Sequence, residues 1–196
     1  MPVTERGARL EELLDVLRAL AAPGPASFDG RFTRFEGGQV KPGPRQRPYP
    51  PIWIAGRSDT ALARAARRGD VWMPYLDTPE QLSTRVALLE RKAAEAGRAG
   101  RVGTAVFCWL AVHRDGAEAR RLAAAFVGQV YRQDFTGRAG RLLVAGTPTE
   151  CARGLSELVD AGAGSLILCP AQPPDAEFLA TVELLGREVL PAVTGG

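Results

Sequence analysis

Strand-like apolar segments alternate with helix-like segments over most of the chain, and this alternation restricts the folds that it can adopt. The predicted strands cover 52–55, 71–75, 102–113 and 165–169. The predicted helices cover 5–21, 58–68, 79–97, 116–132, 148–162 and 175–190. Strands that alternate with helices pair in parallel, and the helices cover them. The pattern fits an open doubly wound sheet and an eight-stranded barrel equally, and 196 residues suffice for one sizeable core.

Several helix ends are marked by local chemistry. TPEQ at 78–81 and TPTE at 147–150 each combine a capping box with a proline at the first helical position. Asp115 and the residues after it form a similar start. Helix ends are predicted at glycines, which are Gly97 or Gly100 and Gly162 or Gly164.

Residues 22–50 interrupt this rhythm with a segment rich in proline and glycine, inside what we interpret as a single domain over 1–196. Within it, SFDGRFTRF at 27–35 places three phenylalanines around Asp29 and Gly30, which predicts a short hairpin or a packed loop. A long excursion between regular elements is more often functional or interface-forming than idle.

Composition argues against several classes of function. The net charge is +3, and the arginines are interleaved with glutamates instead of forming an aromatic-rich basic stripe, so we expect no nucleic-acid partner. No apolar run approaches the roughly 18 residues of a membrane span, and we expect no membrane partner. With one histidine and three separated cysteines, no metal-ligand spacing appears. The cysteines are predicted to be small core residues in a reducing compartment, which favours the cytoplasm.

The segment PIWIAGRSDTA at 51–61 passes directly from a strand into a helix. Gly56 allows a sharp turn and a close approach of a ligand to the backbone. The N–H groups from Arg57 to Thr60 would then point out of the helix N-terminus towards an anion. Arg57 would add a charge-assisted bond, and Ser58 a hydroxyl. The alternative is an ordinary turn with Ser58 or Asp59 as the helix cap, and the carboxylate of Asp59 would compete with an anion.

Two further residues lie near predicted strand ends. His113 ends the longest strand, a suitable place for a proton-transfer group, but without a nucleophile or an orienting carboxylate we interpret it as structural or exposed. Asp77 follows a strand and precedes a cap, and helix entry is the simpler interpretation. No motif for serine hydrolases, zinc proteases or nucleotide-binding loops occurs.

An ordered set of segments resembles the C-terminal half of the luciferase-like flavin- or deazaflavin-dependent oxidoreductases. The segments are RGARLEELLDVLRAL (6–20), FDGRF (28–32), PPIWIAGRSDTALARAARRGDVWMP (50–74), TPEQL (78–82), EAGR (95–98) and GTPTECARGLSELVDAGAGSLIL (146–168). The chain departs from the family pattern at Val71, where a glycine is common, and at Ala21, where a tryptophan is common.

The resemblance implies an α/β fold, a partial (β/α)8 TIM barrel formed by the C-terminal half with about four parallel strands. It implies FMN or the deazaflavin coenzyme F420 as cofactor, with Gly56 and Ser58 holding the cofactor phosphate. Trp53 and Trp72 would either face a flavin or pack in the core, and core packing is the expectation. The cofactor would perform the redox chemistry on a small organic substrate.

Family members carry the first half of the barrel ahead of the RGARLEE helix. We therefore expect a truncated oxidoreductase or monooxygenase that needs a partner, either a second copy in a homo-oligomer or a complementing barrel half. The alternative is a non-catalytic half-barrel that serves as a dimerisation or interaction domain.

Overall fold

The computed structural model describes residues 2–172 and 176–194, without the side chains of residues 3, 176, 177 and 194. The helices, in chain order, are α1 (Arg6–Ala21), α2 (Asp59–Arg68), α3 (Pro79–Glu95), α4 (Gly116–Tyr131), α5 (Ala139–Leu142), α6 (Pro148–Asp160), α7 (Ala176–Leu184) and α8 (Leu190–Thr194). The strands are β1 (Ala26–Asp29), β2 (Arg34–Gly38), β3 (Trp53–Ala55), β4 (Val71–Met73), β5 (Gly103–Val112), β6 (Val144–Gly146) and β7 (Ser165–Pro170).

The main sheet has five strands, and every pair in it is parallel. The strand order is β3-β4-β5-β6, and β7 also pairs with β5. The alternation of strands and helices therefore predicted the sheet type correctly. All four predicted strands and the predicted helices are present with small changes at their ends, although residue 175, the predicted start of the last helix, lies outside the described residues.

Strand β5 is the longest and connects the sheet. Its Phe107 N–H donates to the Pro74 carbonyl oxygen beyond β4, and His113 N–H donates to the Gly146 oxygen of β6. Residues of equal parity direct their backbone groups to the same edge of a strand. Strands β4 and β6 therefore share one edge of β5, and β7 pairs along the other edge from 105 to 110.

Strand β6 and the short helix α5 before it were not predicted. The segment RLLVAG at 141–146 has no alternation, and its strand is only three residues long. Its pairing of Leu110 with Val144 and of Val112 with Gly146 gives it strand geometry. Pairing with a strand that is distant in sequence, and not local propensity, therefore creates this element.

Helices cover one face of the sheet. Ile54, Trp72, Val106 and Cys108 pack with α2, α3 and α6 in one buried cluster. A second cluster on that side joins the end of β5 to α6 and to the last helical segment. That segment runs from α7 through a π-helical turn, Leu185–Val189, into α8. The even-numbered residues of β5 thus face the outer helices, and the odd-numbered residues face the opposite side.

The predicted hairpin is confirmed, and it packs against α1. Strands β1 and β2 are antiparallel, and Phe28 stacks on Phe35 with ring centroids 6.3 Å apart. The carboxylate of Glu12 on α1 accepts a hydrogen bond of 2.9 Å from the Phe32 N–H in the connecting loop. The Arg9 guanidinium lies 4.2 Å from the centroid of the Phe32 ring.

The predicted capping boxes at Thr78 and Thr147 are both present, with reciprocal bonds to Gln81 and Glu150. The Asp115 carboxylate accepts from the first backbone N–H groups of α4, as predicted. Of the glycines proposed as helix ends, Gly97 and Gly162 stand just after α3 and α6 with φ of +68° and +103°. None of the described helices is long and apolar enough to cross a bilayer.

The outer core makes a testable demand on α6. Leu155 is completely buried between α6 and the last helical segment. Leu155→Ala is expected to lower the free energy of unfolding by about 2–5 kcal/mol, because it removes apolar burial and leaves a cavity. The matched control is Val159→Ala on the same helix, where the side chain is 44% exposed and the expected change is about 0.5 kcal/mol or less. Urea unfolding followed by circular dichroism measures both, and equal effects would contradict this packing.

Candidate functional site

The carboxyl ends of β3, β4 and β5 meet at one end of the sheet, because all three strands are parallel. The loop 56–58 follows β3, and residues 74–77 follow β4. Tyr75 continues the parallel pairing beyond β4 through a bridge to Phe107. The sequence-predicted anion loop therefore lies beside the side chains that follow β4.

Gly56 adopts a backbone conformation that only glycine accepts easily, with φ of +133°. A Cβ placed there would lie 2.8 Å from the Cβ of Ala61. The Gly56 N–H donates to the Met73 oxygen at 3.2 Å, and the Gly56 oxygen accepts from the Trp72 indole N–H at 3.0 Å. Both hydrogen bonds of Gly56 tie the loop to β4, so the turn has a defined shape.

Ser58 is the N-cap of α2, as the simpler interpretation predicted. Its Oγ accepts from the Ala61 N–H at 3.2 Å. A serine hydroxyl that accepts one bond still has its O–H to donate. The N–H groups of Asp59 and Thr60 stand in the first turn, where no intrahelical acceptor exists. Among the described residues they have no acceptor, and Ser58, Asp59 and Thr60 are exposed.

Arg57 is held by a buried carboxylate. Its Nε donates to Asp77 Oδ1 at 2.9 Å, and Arg85 Nη1 donates to the two oxygens of Asp77 at 2.7 and 2.8 Å. The Asp77 side chain has 0% exposure, whereas that of Arg57 is 36% exposed. Two guanidinium groups share one carboxylate, which leaves an excess of one positive charge. The Nη atoms of Arg57 have no hydrogen-bond partner within the described part of the chain.

Asp77 is therefore not the helix entry that the sequence suggested. Thr78 caps α3, and Asp77 fixes Arg57 to α3 through Arg85. Sequence reasoning missed this pairing because Arg57, Asp77 and Arg85 come from three elements. The only available signal was a carboxylate at a strand end next to a residue that already serves as the cap.

A cluster of six aromatic side chains adjoins this site, and we call it the aromatic cluster. It consists of Tyr75, Phe107, Trp109, Phe126, Tyr131 and Phe135. Tyr75 stacks on Tyr131 with centroids 6.4 Å apart, and the Trp109 indole N–H donates to the Tyr131 hydroxyl at 3.2 Å. The Arg57 guanidinium lies 6.0 Å from the Tyr75 ring, which joins the cluster to the anion loop.

The other sequence candidates lie in different places. Trp72 is completely buried, as expected, but Trp53 is 45% exposed, so the expectation of core packing was wrong for Trp53 within the described chain. Trp53 and Ala55 lie on the face of β3 opposite the helices, and no other element covers that face. His113 is exposed, and its Nδ1 accepts from the Asp115 N–H at 2.9 Å, in agreement with a structural or surface role.

Cys108 and Cys151 are buried, and burial raises the pKa of the Cys108 thiol to about 12 and that of the Cys151 thiol to about 11. Both are therefore protonated at neutral pH and unsuited to nucleophilic catalysis. Within residues 2–172 and 176–194, no three potential metal ligands of the His, Cys, Asp or Glu type come together.

The family of luciferase-like monooxygenases matches residues 1–165. The chain belongs to the luciferase-like monooxygenase family. An FMNH2-dependent dimethylsulfone monooxygenase of Pseudomonas putida is 28% identical over 216 residues, which cover 96% of this chain and 59% of that protein. An uncharacterised protein of Mycobacterium tuberculosis is 35% identical over 98 residues, 50% of this chain and 33% of its own length.

The fold also matches solved structures of this type. An F420-dependent secondary alcohol dehydrogenase in complex with an F420-acetone adduct superposes with a TM-score of 0.83 at 20% identity. The superposition covers 98% of this chain and 64% of the dehydrogenase. The chain thus spans a third to two thirds of the length of these three proteins, and its sheet corresponds to part of a TIM barrel. The family resemblance in the sequence and the partial-barrel fold that it implied are confirmed.

The backbone conformation of Gly56 predicts a specific sensitivity. Gly56→Ala is expected to cost about 1–3 kcal/mol of unfolding free energy, because the alanine would be both strained and in collision with Ala61. Gly97→Ala is the control, since φ is also positive there but no atom lies near the added methyl group. The control is expected to cost about 1 kcal/mol. Thermal unfolding of both variants compares them, and a smaller loss at position 56 than at 97 would contradict the geometry.

The buried ion pair predicts a second sensitivity. Asp77→Asn keeps the shape of the side chain but leaves two guanidinium groups without their countercharge. We expect a loss of about 3 kcal/mol in unfolding free energy, at the lower end for buried pairs because both arginines are partly exposed. Asp59→Asn, at an exposed position in α2, is expected to cost about 0.3–1 kcal/mol. Denaturant unfolding measures the two, and similar losses would show that the Asp77 charge is not structural.

Proposed function

We propose that this chain is the cofactor-phosphate half of a flavin- or deazaflavin-dependent oxidoreductase, and that it binds FMN or F420 through the phosphate. The observation that carries the proposal is a set of unpaired donors around one glycine turn. They are the Arg57 Nη atoms, the Ser58 and Thr60 hydroxyls and the N–H groups of Asp59 and Thr60. Together they satisfy what a phosphate requires, which is several N–H and O–H donors and net positive charge.

The turn is pre-shaped for this purpose. Gly56 is held by two hydrogen bonds to β4, and Arg57 is held by Asp77, so binding would order few additional groups. The Asp59 carboxylate is the one unfavourable feature, because it lies in the same helical turn as the donors. Removal of that charge should therefore tighten phosphate binding.

The aromatic cluster is positioned to contact the ring end of the cofactor. Tyr75 lies next to Arg57, and Trp109 and Tyr131 follow it along the same end of the sheet. A flavin or deazaflavin ring stacks on such surfaces, and the hydrophobic surroundings exclude water. When bound, the cofactor supplies hydride transfer or oxygen activation, and the substrate is a small organic molecule.

The side chains of this chain then have binding and orienting roles. Arg57 and Ser58 hold the phosphate, and Asp77 keeps Arg57 in place from its buried position. Two named relatives, one FMNH2-dependent and one F420-dependent, support both cofactor choices. The three cysteines are free, which suits a reducing compartment such as the cytoplasm.

A second function is favoured by a different observation. Leucines on α1 and Trp53 on β3 are exposed together, and such apolar surface commonly mediates protein interaction. The chain would then act as a dimerisation or interaction domain without catalysis. Cofactor affinity separates the two functions, since an interaction domain has no need of the donors at 57–60.

The test compares FMN, F420 and riboflavin, which lacks the phosphate, by fluorescence titration of the 196-residue protein. FMN or F420 is expected to bind and riboflavin to bind at least about tenfold more weakly, because a charged phosphate contact is lost. Arg57→Gln should weaken FMN by about tenfold, and Asp59→Asn should strengthen it several-fold, without a change for riboflavin.

Arg91→Gln, on the exposed side of α3, is the matched control for a lost arginine and should leave the affinity unchanged. Thermal unfolding of each variant shows whether it is folded. No spectral change with any of the three compounds, or equal affinity for FMN and riboflavin, would contradict the proposal.

A further inference from the structure

Strand β3 has an open edge. The N–H and C=O groups of Ile52 and Gly56 point to β4, as their bonds to Asp70 and Met73 show. The backbone groups of Trp53 and Ala55 therefore point the other way. No described strand lies on that side of β3, and none lies on the outer side of β7, which pairs only with β5. The sheet thus has two open parallel edges.

An apolar stripe on α1 accompanies the β3 edge. Leu10, Leu13 and Leu17 recur at helical spacing and are 40%, 48% and 56% exposed. The neighbouring face of α1, which carries Glu11 and Asp15, forms ion pairs with arginines of α2. The other flanking face, which carries Arg9 and Glu12, contacts the loop of the hairpin. Because both flanks are occupied, the stripe is not simply the outer surface of a helix.

The stripe continues into the sheet. Leu14, on the same side of α1, packs with Ile54 in the core. A groove of about 580 Å³ begins at Leu14 and Leu17 and ends at Trp53. The leucine stripe, the groove and the open backbone of β3 form one continuous surface, which we call the closing surface.

Helix counting decides what fits this surface. A closed barrel alternates eight strands with eight helices. Here four successive barrel strands, β3, β4, β5 and β7, have five helical positions around them: α1 before β3, α2, α3 and α6 between strands, and α7–α8 after β7. Two copies would bring ten helices for eight positions. The α1 of one copy and the α7–α8 of the other would compete for the same place.

We propose that the closing surface binds a unit of four parallel strands and three helices, which completes a barrel of eight strands and eight helices. The unit begins and ends with a strand, so that one strand pairs with β3 and another with β7. This surface is therefore not the contact of a symmetric homodimer. The length of the F420-dependent dehydrogenase agrees with this composition, since 36% of it lies outside the superposition with this chain. The proposal names a protein partner and goes beyond cofactor binding.

The test uses the part of the Pseudomonas putida monooxygenase that this chain does not match as the probe. It is expressed with a tag beside the 196-residue protein and, in a second form, joined ahead of residue 1 by a flexible linker. Linkage raises the effective concentration, so a weak interface still forms. Size-exclusion chromatography with light scattering gives the stoichiometry. Hydrogen exchange reports the amides of Trp53 and Ala55.

We expect a one-to-one complex and at least about tenfold slower exchange at Trp53 and Ala55, because their amides become bonded to a new strand. Leu13→Glu with Leu17→Glu should weaken the complex by at least about tenfold. The matched control is Val159→Glu, an exposed apolar position on α6 away from the closing surface, which should have no effect.

Unchanged exchange at Trp53 and Ala55 in the linked form would overturn the proposal. It would also be overturned if the 196-residue protein alone formed a dimer in which those two amides are protected. Neither readout involves a cofactor, so failure here is distinct from failure to bind FMN or F420.

Discussion

Parallel backbone pairing along β5 is the interaction on which the other features depend. β4 and β6 share one edge of this strand, and β7 takes the other. Parallel pairing requires a helical connection between neighbouring strands, which places α2, α3 and α6 in one outer layer. It also brings the carboxyl ends of β3, β4 and β5 to one end of the sheet. The glycine turn and the aromatic cluster meet there for that reason alone.

At that end, a buried carboxylate determines the electrostatics. A fully desolvated Asp77 would be costly alone, and the guanidinium groups of Arg57 and Arg85 compensate for its charge. The same pairing restricts Arg57 to one orientation and leaves an excess positive charge next to the N-terminus of α2. An ion pair that stabilises the fold thus also produces a surface that attracts anions.

The opposite face of the sheet explains why catalysis and assembly are connected. Trp53 and Ala55 lie on the side that no helix covers, so the inner face of the sheet is incomplete in the described chain. The proposed phosphate loop needs only β3, β4 and α2. A pocket for the cofactor ring and the substrate needs walls on both sides. Phosphate recognition therefore lies within one unit, whereas the shape of a substrate pocket depends on closure of the barrel.

Much of the fold was predictable because its signals are local. The capping boxes at Thr78 and Thr147 placed two helix starts, and apolar segments between them placed the four main strands. The glycine turn was also local, since a strand followed by Gly56 and a helix cap is visible in one stretch. β6 was not predictable, because a three-residue strand exists only through its pairing with β5. The buried state of Asp77 was likewise hidden, since its partners come from separate elements.

The sequence by itself determined the parallel α/β class, the family and the turn at Gly56, because each depends on residues close together in the chain. Only the tertiary structure decided that Arg57 is paired with Asp77 and that Trp72 is buried while Trp53 is exposed. It also showed that both outer edges of the sheet are open. The physical reason is that pairing, burial and exposure depend on which distant segments come into contact, and local sequence patterns carry no record of those contacts.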